Sequence, residues 1–137
     1  MATRLNPYLN FNGDAAAAME FYHRVFGGML RATTFGEFGM PDSPDAARVM
    51  HAMLETDSGF ALMASDVATG MTYDPPAGFA VSLSGEDDDE LRRYWEALSE
   101  GGTVTMPLEK QAWGDEFGMC TDRFGTPWMV NITASAG

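Results

Sequence analysis

An α+β fold built from two tandem βαβββ modules is predicted for this chain by three observations. The first is an internal echo. Thr56-Asp57-Ser58-Gly59-Phe60-Ala61-Leu62-Met63 is repeated as Thr121-Asp122-Arg123-Phe124-Gly125-Thr126-Pro127-Trp128-Met129, each a glycine turn feeding a short apolar strand. Upstream, Phe21 and Gly27-Gly28 are echoed by Trp95 and Gly101-Gly102 at the same internal interval. The second is element order: strand, helix, three strands, and then the same again, which is an α+β pattern. The third is composition. With 137 residues, 45% hydrophobic and 12% aromatic content, the chain suits one compact domain burying roughly two-thirds of its unfolded surface. Module one is expected over about 4–66, a linker over 67–77, and module two over about 78–134.

In the first module, Leu5 to Asn12 reads as a strand ending at Gly13. Asp14 then caps a helix through about Phe26, with Ala18, Phe21 or Tyr22, and Val25 on one stripe. Gly27-Gly28 stops it by tolerating positive φ. A strand follows around Met29 to Phe35, then a loop through Gly39, Pro41 and Pro44. Val49 to Thr56 and Phe60 to Ser65 read as a hairpin. Val67 to Ala77, with Gly70, Pro75 and Pro76, is the expected linker.

The second module opens with a strand from Phe79 to Ser84. Glu86-Asp87-Asp88-Asp89-Glu90 leads into a helix carrying Leu91, Trp95 and Leu98. An acidic run there is read as a helix start, because carboxylates in the first turn complement the positive end of the helix dipole. Gly101-Gly102 ends that helix. Strands are expected at Thr103 to Met106, Gln111 to Thr121, and Trp128 to Thr133.

Charge narrows the function classes. A formal charge of -12, from 20 acidic and 8 basic residues, lacks the clustered cations that nucleic acid or an anionic membrane requires. No apolar stretch approaches the ~20 residues of a spanning helix. The start, Met1-Ala2-Thr3-Arg4, runs directly into strand-like sequence, as expected without a signal peptide. A single cysteine, Cys120, excludes an internal disulfide and suits a reducing cytoplasm. It has no basic neighbour that would mark an activated thiol, Arg123 being the closest in sequence. No phosphate-loop, nucleophile-elbow or dinucleotide signature is present.

The doubled βαβββ order resembles the vicinal oxygen chelate superfamily, which includes glyoxalase I, extradiol dioxygenases and bleomycin-resistance proteins. The wording is closest to its PhnB-like branch. It is carried by Asn6-Pro7-Tyr8-Leu9 with Phe11 and Gly13, and by Phe21-Tyr22 with Phe26-Gly27-Gly28. Further matches are Phe35-Gly36-Glu37, His51-Ala52 and Met63-Ala64-Ser65-Asp66. The strongest run is Trp113, Phe117-Gly118, Thr121-Asp122-Arg123-Phe124-Gly125 and Pro127-Trp128-Met129-Val130-Asn131. The resemblance implies the glyoxalase/bleomycin-resistance fold, a cupped mixed sheet, with a ligand cleft between modules. It also implies pairing into a homodimer. The branch is sometimes labelled a methyltransferase domain, but no glycine-rich methyl-donor turn follows a strand here.

Catalytic members so resembled hold one divalent metal, with ligands from the first and fifth strands, usually His, and the fourth and eighth, often Glu. Counting from Gly13-Asp14 puts these positions at Pro7, Met63, Phe79 and Met129, or Asn131 if the last register slips by two. Thioethers suit Cu(I), and apolar side chains suit no metal. Neither a metal nor another cofactor is therefore expected. Met63 and Met129 also correspond in the internal echo, which suggests either core filling or an adaptable apolar lining.

The expected pocket takes Pro7, Leu9, Met63, Phe79 and Met129 from these strand positions, with Asn131 beside them. Trp113 and Phe117 are added as flat stacking surfaces. His51 and Met53 share one strand face, since side chains alternate. Histidine is the residue type suited to acid–base work or hydrogen-bond donation near neutral pH, so His51, with Glu37 in a Gly-rich loop, is the best catalytic candidate. The leading expectation is a metal-independent protein that binds a small, largely apolar ligand by stoichiometric capture. The alternatives are a lyase, isomerase or dioxygenase with a relocated metal site on His51 and Glu37, and a dimerisation module without ligand.

Overall fold

A computed structural model describes residues 3–134. The chain divides into two compact units, Met1–Pro75 and Pro76–Gly137. The first unit contains β1 (Tyr8–Phe11), α1 (Ala15–Phe26), β2 (Met29–Thr34), β3 (Val49–Glu55) and β4 (Ala61–Asp66). The second contains β5 (Val81–Gly85), α2 (Asp88–Ser99), β6 (Thr103–Lys110), β7 (Glu116–Thr121) and β8 (Pro127–Ile132). Each unit is thus a βαβββ module. Each has one four-stranded sheet, ordered β1-β4-β3-β2 and β5-β8-β7-β6. In both sheets the first and last strands pair in parallel, and the remaining pairs are antiparallel.

Alternation gives each sheet a core face and an opposite face. In the first unit Leu9, Phe11, Ala52, Leu54 and Ala64 are buried, together with Ala18, Met19 and Tyr22 of α1. In the second, Leu83, Cys120, Trp128 and Val130 are buried with Leu91 and Leu98 of α2. Gly118 leaves room for the helix, since a Cβ there would lie 2.8 Å from the Trp95 ring.

The paired glycines do two separate jobs. Gly27 (φ 73) and Gly101 (φ 76) adopt the left-handed backbone that ends a helix. Gly28 and Gly102 allow a close approach: an added Cβ would sit 2.2 Å from the Glu55 carbonyl oxygen and 2.2 Å from that of Thr121, respectively. The dipole reading of the acidic run fits α2. Asp88, Asp89 and Glu90 occupy its first turn, and Asp87 caps it by accepting from the Glu90 amide.

Three expectations are corrected. Asp14 sits at the N-cap of α1 but makes no side-chain capping bond. That role belongs to Asp66, whose Oδ1 accepts from the Gly13 and Ala15 amides while Oδ2 accepts from Val49. The strand expected to stop at Met106 continues to Lys110. As the sheet edge it tolerates Pro107 at a register irregularity between Met106 and Glu109. The strand expected from Gln111 begins instead at Glu116, because Gly114 (φ 102) makes a turn closed by Gln111 and Asp115. Segment 67–69, the start of the expected linker, is bonded to the first unit. The Val67 amide donates to Phe11, and the Thr69 amide and hydroxyl donate to the buried Asp45 carboxylate.

Candidate functional site

The face opposite α1 carries the candidate site residues of the first unit. Register pairs Tyr8 with Met63, Met63 with Met53, and Met53 with Arg31. One step along, Asn10 lies beside Ser65, and Thr33 beside His51. A step the other way, Met29 lies beside Glu55. These residues are half-buried or exposed, in contrast to Ala52, Leu54 and Ala64 on the other face. The Tyr8 hydroxyl lies 3.3 Å from His51 Nδ1, with ring centroids 5.9 Å apart. Ser65 donates to Asn10 Oδ1 at 3.3 Å.

The second unit repeats the arrangement with different chemistry. Ser82 pairs with Met129, Met129 with Met119, and Met119 with Met106. Ser84 and Phe117 flank Asn131. Asp115 accepts from Asn131 Nδ2 and from the Ala134 amide, and those two bonds hold its carboxyl below the usual range. Trp113 is largely exposed in the adjoining turn, its ring centroid 6.3 Å from that of Phe117.

Of the pocket residues expected from sequence, His51, Met53 and Met63 share one face of the first sheet. Phe117, Met129 and Asn131 share the corresponding face of the second. Pro7 precedes β1 and Phe79 precedes β5. The register places Tyr8 opposite Met63 and Ser82 opposite Met129. Leu9 lies on the core face, 4% exposed. Sequence reasoning missed Tyr8, Ser82, Arg31 and Met119. Once strand pairing is known, period-two alternation from Met63 and Met129 recovers all four.

The thioethers of Met63 and Met129 do not fit a hard divalent metal, which takes imidazole nitrogen and carboxylate oxygen. In the relocated set, Glu37 is engaged within its own turn. Both the amide and hydroxyl of Thr34 donate to Glu37 Oε1, so that carboxylate closes the turn after β2. Among the described residues, no group of three or more His, Cys, Asp or Glu side chains is placed to hold a metal ion. Cys120 is buried; burial first, and Asp122 second, push its thiol up to about 11.

A cavity of about 460 Å³ opens at one end of the first unit's functional face, lined by Gly28, Met29, Arg31, Met53, Glu55, Thr56 and Asp57. Two methionines, one guanidinium and two carboxylates therefore meet in one concavity. Such a mix suits a small amphipathic molecule. Among the described residues, no helix is long and apolar enough to cross a membrane.

The sequence model of the Glyoxalase/Bleomycin resistance protein/Dioxygenase superfamily matches residues 4–130. Protein YjdN of Escherichia coli is 31% identical over 93% of this chain and 94% of its own length. An uncharacterized protein of Mycobacterium tuberculosis is 32% identical over 92% of this chain and 72% of its own. Among solved structures, PA1353 from Pseudomonas aeruginosa superposes with a TM-score of 0.87 at 41% identity, covering 98% of this chain and 100% of that one. The PhnB protein of Bacillus cereus shares the fold, with a TM-score of 0.72 at 23% identity over 96% of this chain and 100% of its own.

Proposed function

The chain belongs to the Glyoxalase/Bleomycin resistance protein/Dioxygenase superfamily, and within it we propose metal-independent binding of a small, largely apolar ligand. One observation carries this reading. The fourth- and eighth-strand positions that the superfamily resemblance assigns to metal ligands hold Met63 and Met129, each standing between a hydroxyl-bearing residue, Tyr8 or Ser82, and a further methionine, Met53 or Met119. Thioethers are flexible and polarisable, so such a row conforms to an apolar body without coordinating a hard ion. The Tyr8–His51 pair supplies polar groups that orient the ligand. Capture of this kind needs no covalent step.

The test is a thermal-unfolding series on metal-stripped protein. Mn, Fe(II), Co, Ni and Zn should leave the midpoint unchanged. An apolar probe such as 1-naphthol at ~100 times its dissociation constant should stabilise by roughly 2.7 kcal/mol. Met63→Asp should abolish that gain. A metal-induced shift that disappears in His51→Ala would overturn the reading in favour of an enzyme with a relocated metal site. We further expect two copies of the chain to associate and the protein to work in a reducing cytoplasm. Light scattering that reports a monomer at micromolar concentration refutes the association.

A further inference from the structure

We propose that the cavity at the β2 edge of the first unit selects ligands bearing a single carboxylate on an apolar body, with Arg31 as the anchor. This deepens the capture reading above and rests on it. β2 is the sheet edge, and Arg31 lies directly across from Met53. Arg31 Nη2 donates to Met29 Sδ at 3.3 Å. A thioether is a weak acceptor, whereas a guanidinium carries five donors in a planar fork. Among the described residues, no carboxylate lies within ion-pair distance of Arg31. Arg24, Arg93 and Lys110 also lack a carboxylate at that distance among the described residues, but of these four cations Arg31 is the one that lines the cavity.

The nearby acids explain both why Arg31 remains available and what it accepts. Glu55 lies across from Met29 but faces Arg4, its Oε2 3.8 Å from Arg4 Nη1. Asp57 also lines the cavity. An incoming carboxylate can engage the guanidinium side-on through two parallel N–H···O bonds. A second negative charge on the same ligand would meet Glu55 and Asp57. The site therefore discriminates by charge count, favouring a monoanion over a dianion. Met29 and Met53 form the apolar wall for the rest of the molecule, and about 460 Å³ lies within the range of small-molecule pockets.

The test uses the intact protein and three matched probes: phenylacetate, phenylacetamide and phenethylamine, titrated by calorimetry at low salt. Phenylacetate should bind at least tenfold more tightly than phenylacetamide. Arg31→Gln should bring the two to equal affinity while leaving phenylacetamide unaffected. Arg31→Lys should recover part of the preference, as a point charge without the fork. Arg31 is exposed, so both variants should unfold at the parent temperature. Equal binding of acid and amide by the parent protein would overturn the role of Arg31 while leaving apolar capture intact. Preference for the amine overturns it as well, by showing that Glu55 and Asp57 dominate. If none of the three binds, the cavity is not a ligand site, and capture is then decided by the 1-naphthol and Met63→Asp experiment alone.

Discussion

The two units have the same wiring, but a different buried acid fastens each. In the first, Asp66 at the end of β4 receives the amides of Gly13, Ala15 and Val49, tying the start of α1 to two strands. Its register counterpart in the second is Ile132 at the end of β8, which is buried and apolar. There the buried acid is Asp122, which receives the Phe124 and Thr126 amides and the Trp128 indole N–H. Thr56 occupies that turn position in the first unit, its hydroxyl accepting from Phe60. A carboxylate with three N–H donors recurs, yet its address does not. Close backbone approaches and the apolar alternation are common to both units, whereas the polar fastening is particular to each.

The sharpest way to break that comparison is at the shared glycines. Gly28→Ala and Gly102→Ala each place a Cβ 2.2 Å from a carbonyl oxygen, and each should cost about 3 kcal/mol of stability by denaturant titration. Gly27→Ala faces no atom within 4 Å and should cost about 1 kcal/mol from its left-handed backbone alone. A Gly102→Ala protein as stable as the parent would show that the second unit does not use the shared approach.

Next come the acids. Asp66→Ala and Asp122→Ala should each destabilise by about 2 kcal/mol, because buried donors lose their acceptor. Asp66→Ala should increase amide exchange at Gly13 and Ala15, and Asp122→Ala at Phe124 and Thr126. Loss of protection in the opposite unit would mean that the fastenings are not local.

Acid titration is a smaller probe. Hydrogen bonds from the Thr69 side chain and backbone, ahead of the Arg48 charge, hold Asp45 below its ordinary value. Those from Ala134 and Asn131 do the same for Asp115. A depressed folded pKa gives stability that is complete above the unfolded value near 4 and lost as pH falls through the folded one. Midpoints measured from pH 5 downward should therefore fall, and Asp45→Asn or Asp115→Asn should flatten the slope. The smallest effect concerns Cys120. A thiol pushed up to about 11 stays protonated at pH 8, so alkylation should be slow in native protein and rapid in urea.

Much of this was legible in the sequence. The echo found Met63 and Met129, which occupy equivalent registers opposite Tyr8 and Ser82. It was misaligned by one residue at its start. Gly59 and Gly125 do correspond, each donating to the residue three before it, but those partners are Thr56 and Asp122. Thr121-Asp122 looked like Thr56-Asp57 because the residue types match, whereas hydrogen bonding pairs Asp122 with Thr56. Asp14 was the natural cap by local rule, yet the Asp66 carboxylate arrives from 51 residues beyond Ala15 and satisfies the helix start instead. Glu37 read as a candidate base, but its two Thr34 donors lie three residues back, a turn contact that composition does not reveal.

The sequence alone determined the superfamily, the repeat, the two helices and the shared face of His51, Met53 and Met63, though not that of Leu9, because period two and period 3.6 are properties of short segments. The tertiary structure decided which strand residues stand opposite one another. Tyr8 stands opposite Met63, Ser82 stands opposite Met129, and the Arg31 guanidinium donates to the Met29 sulfur. Those outcomes depend on register and on contacts between residues far apart in sequence. A shift of one residue there moves every side chain to the other face.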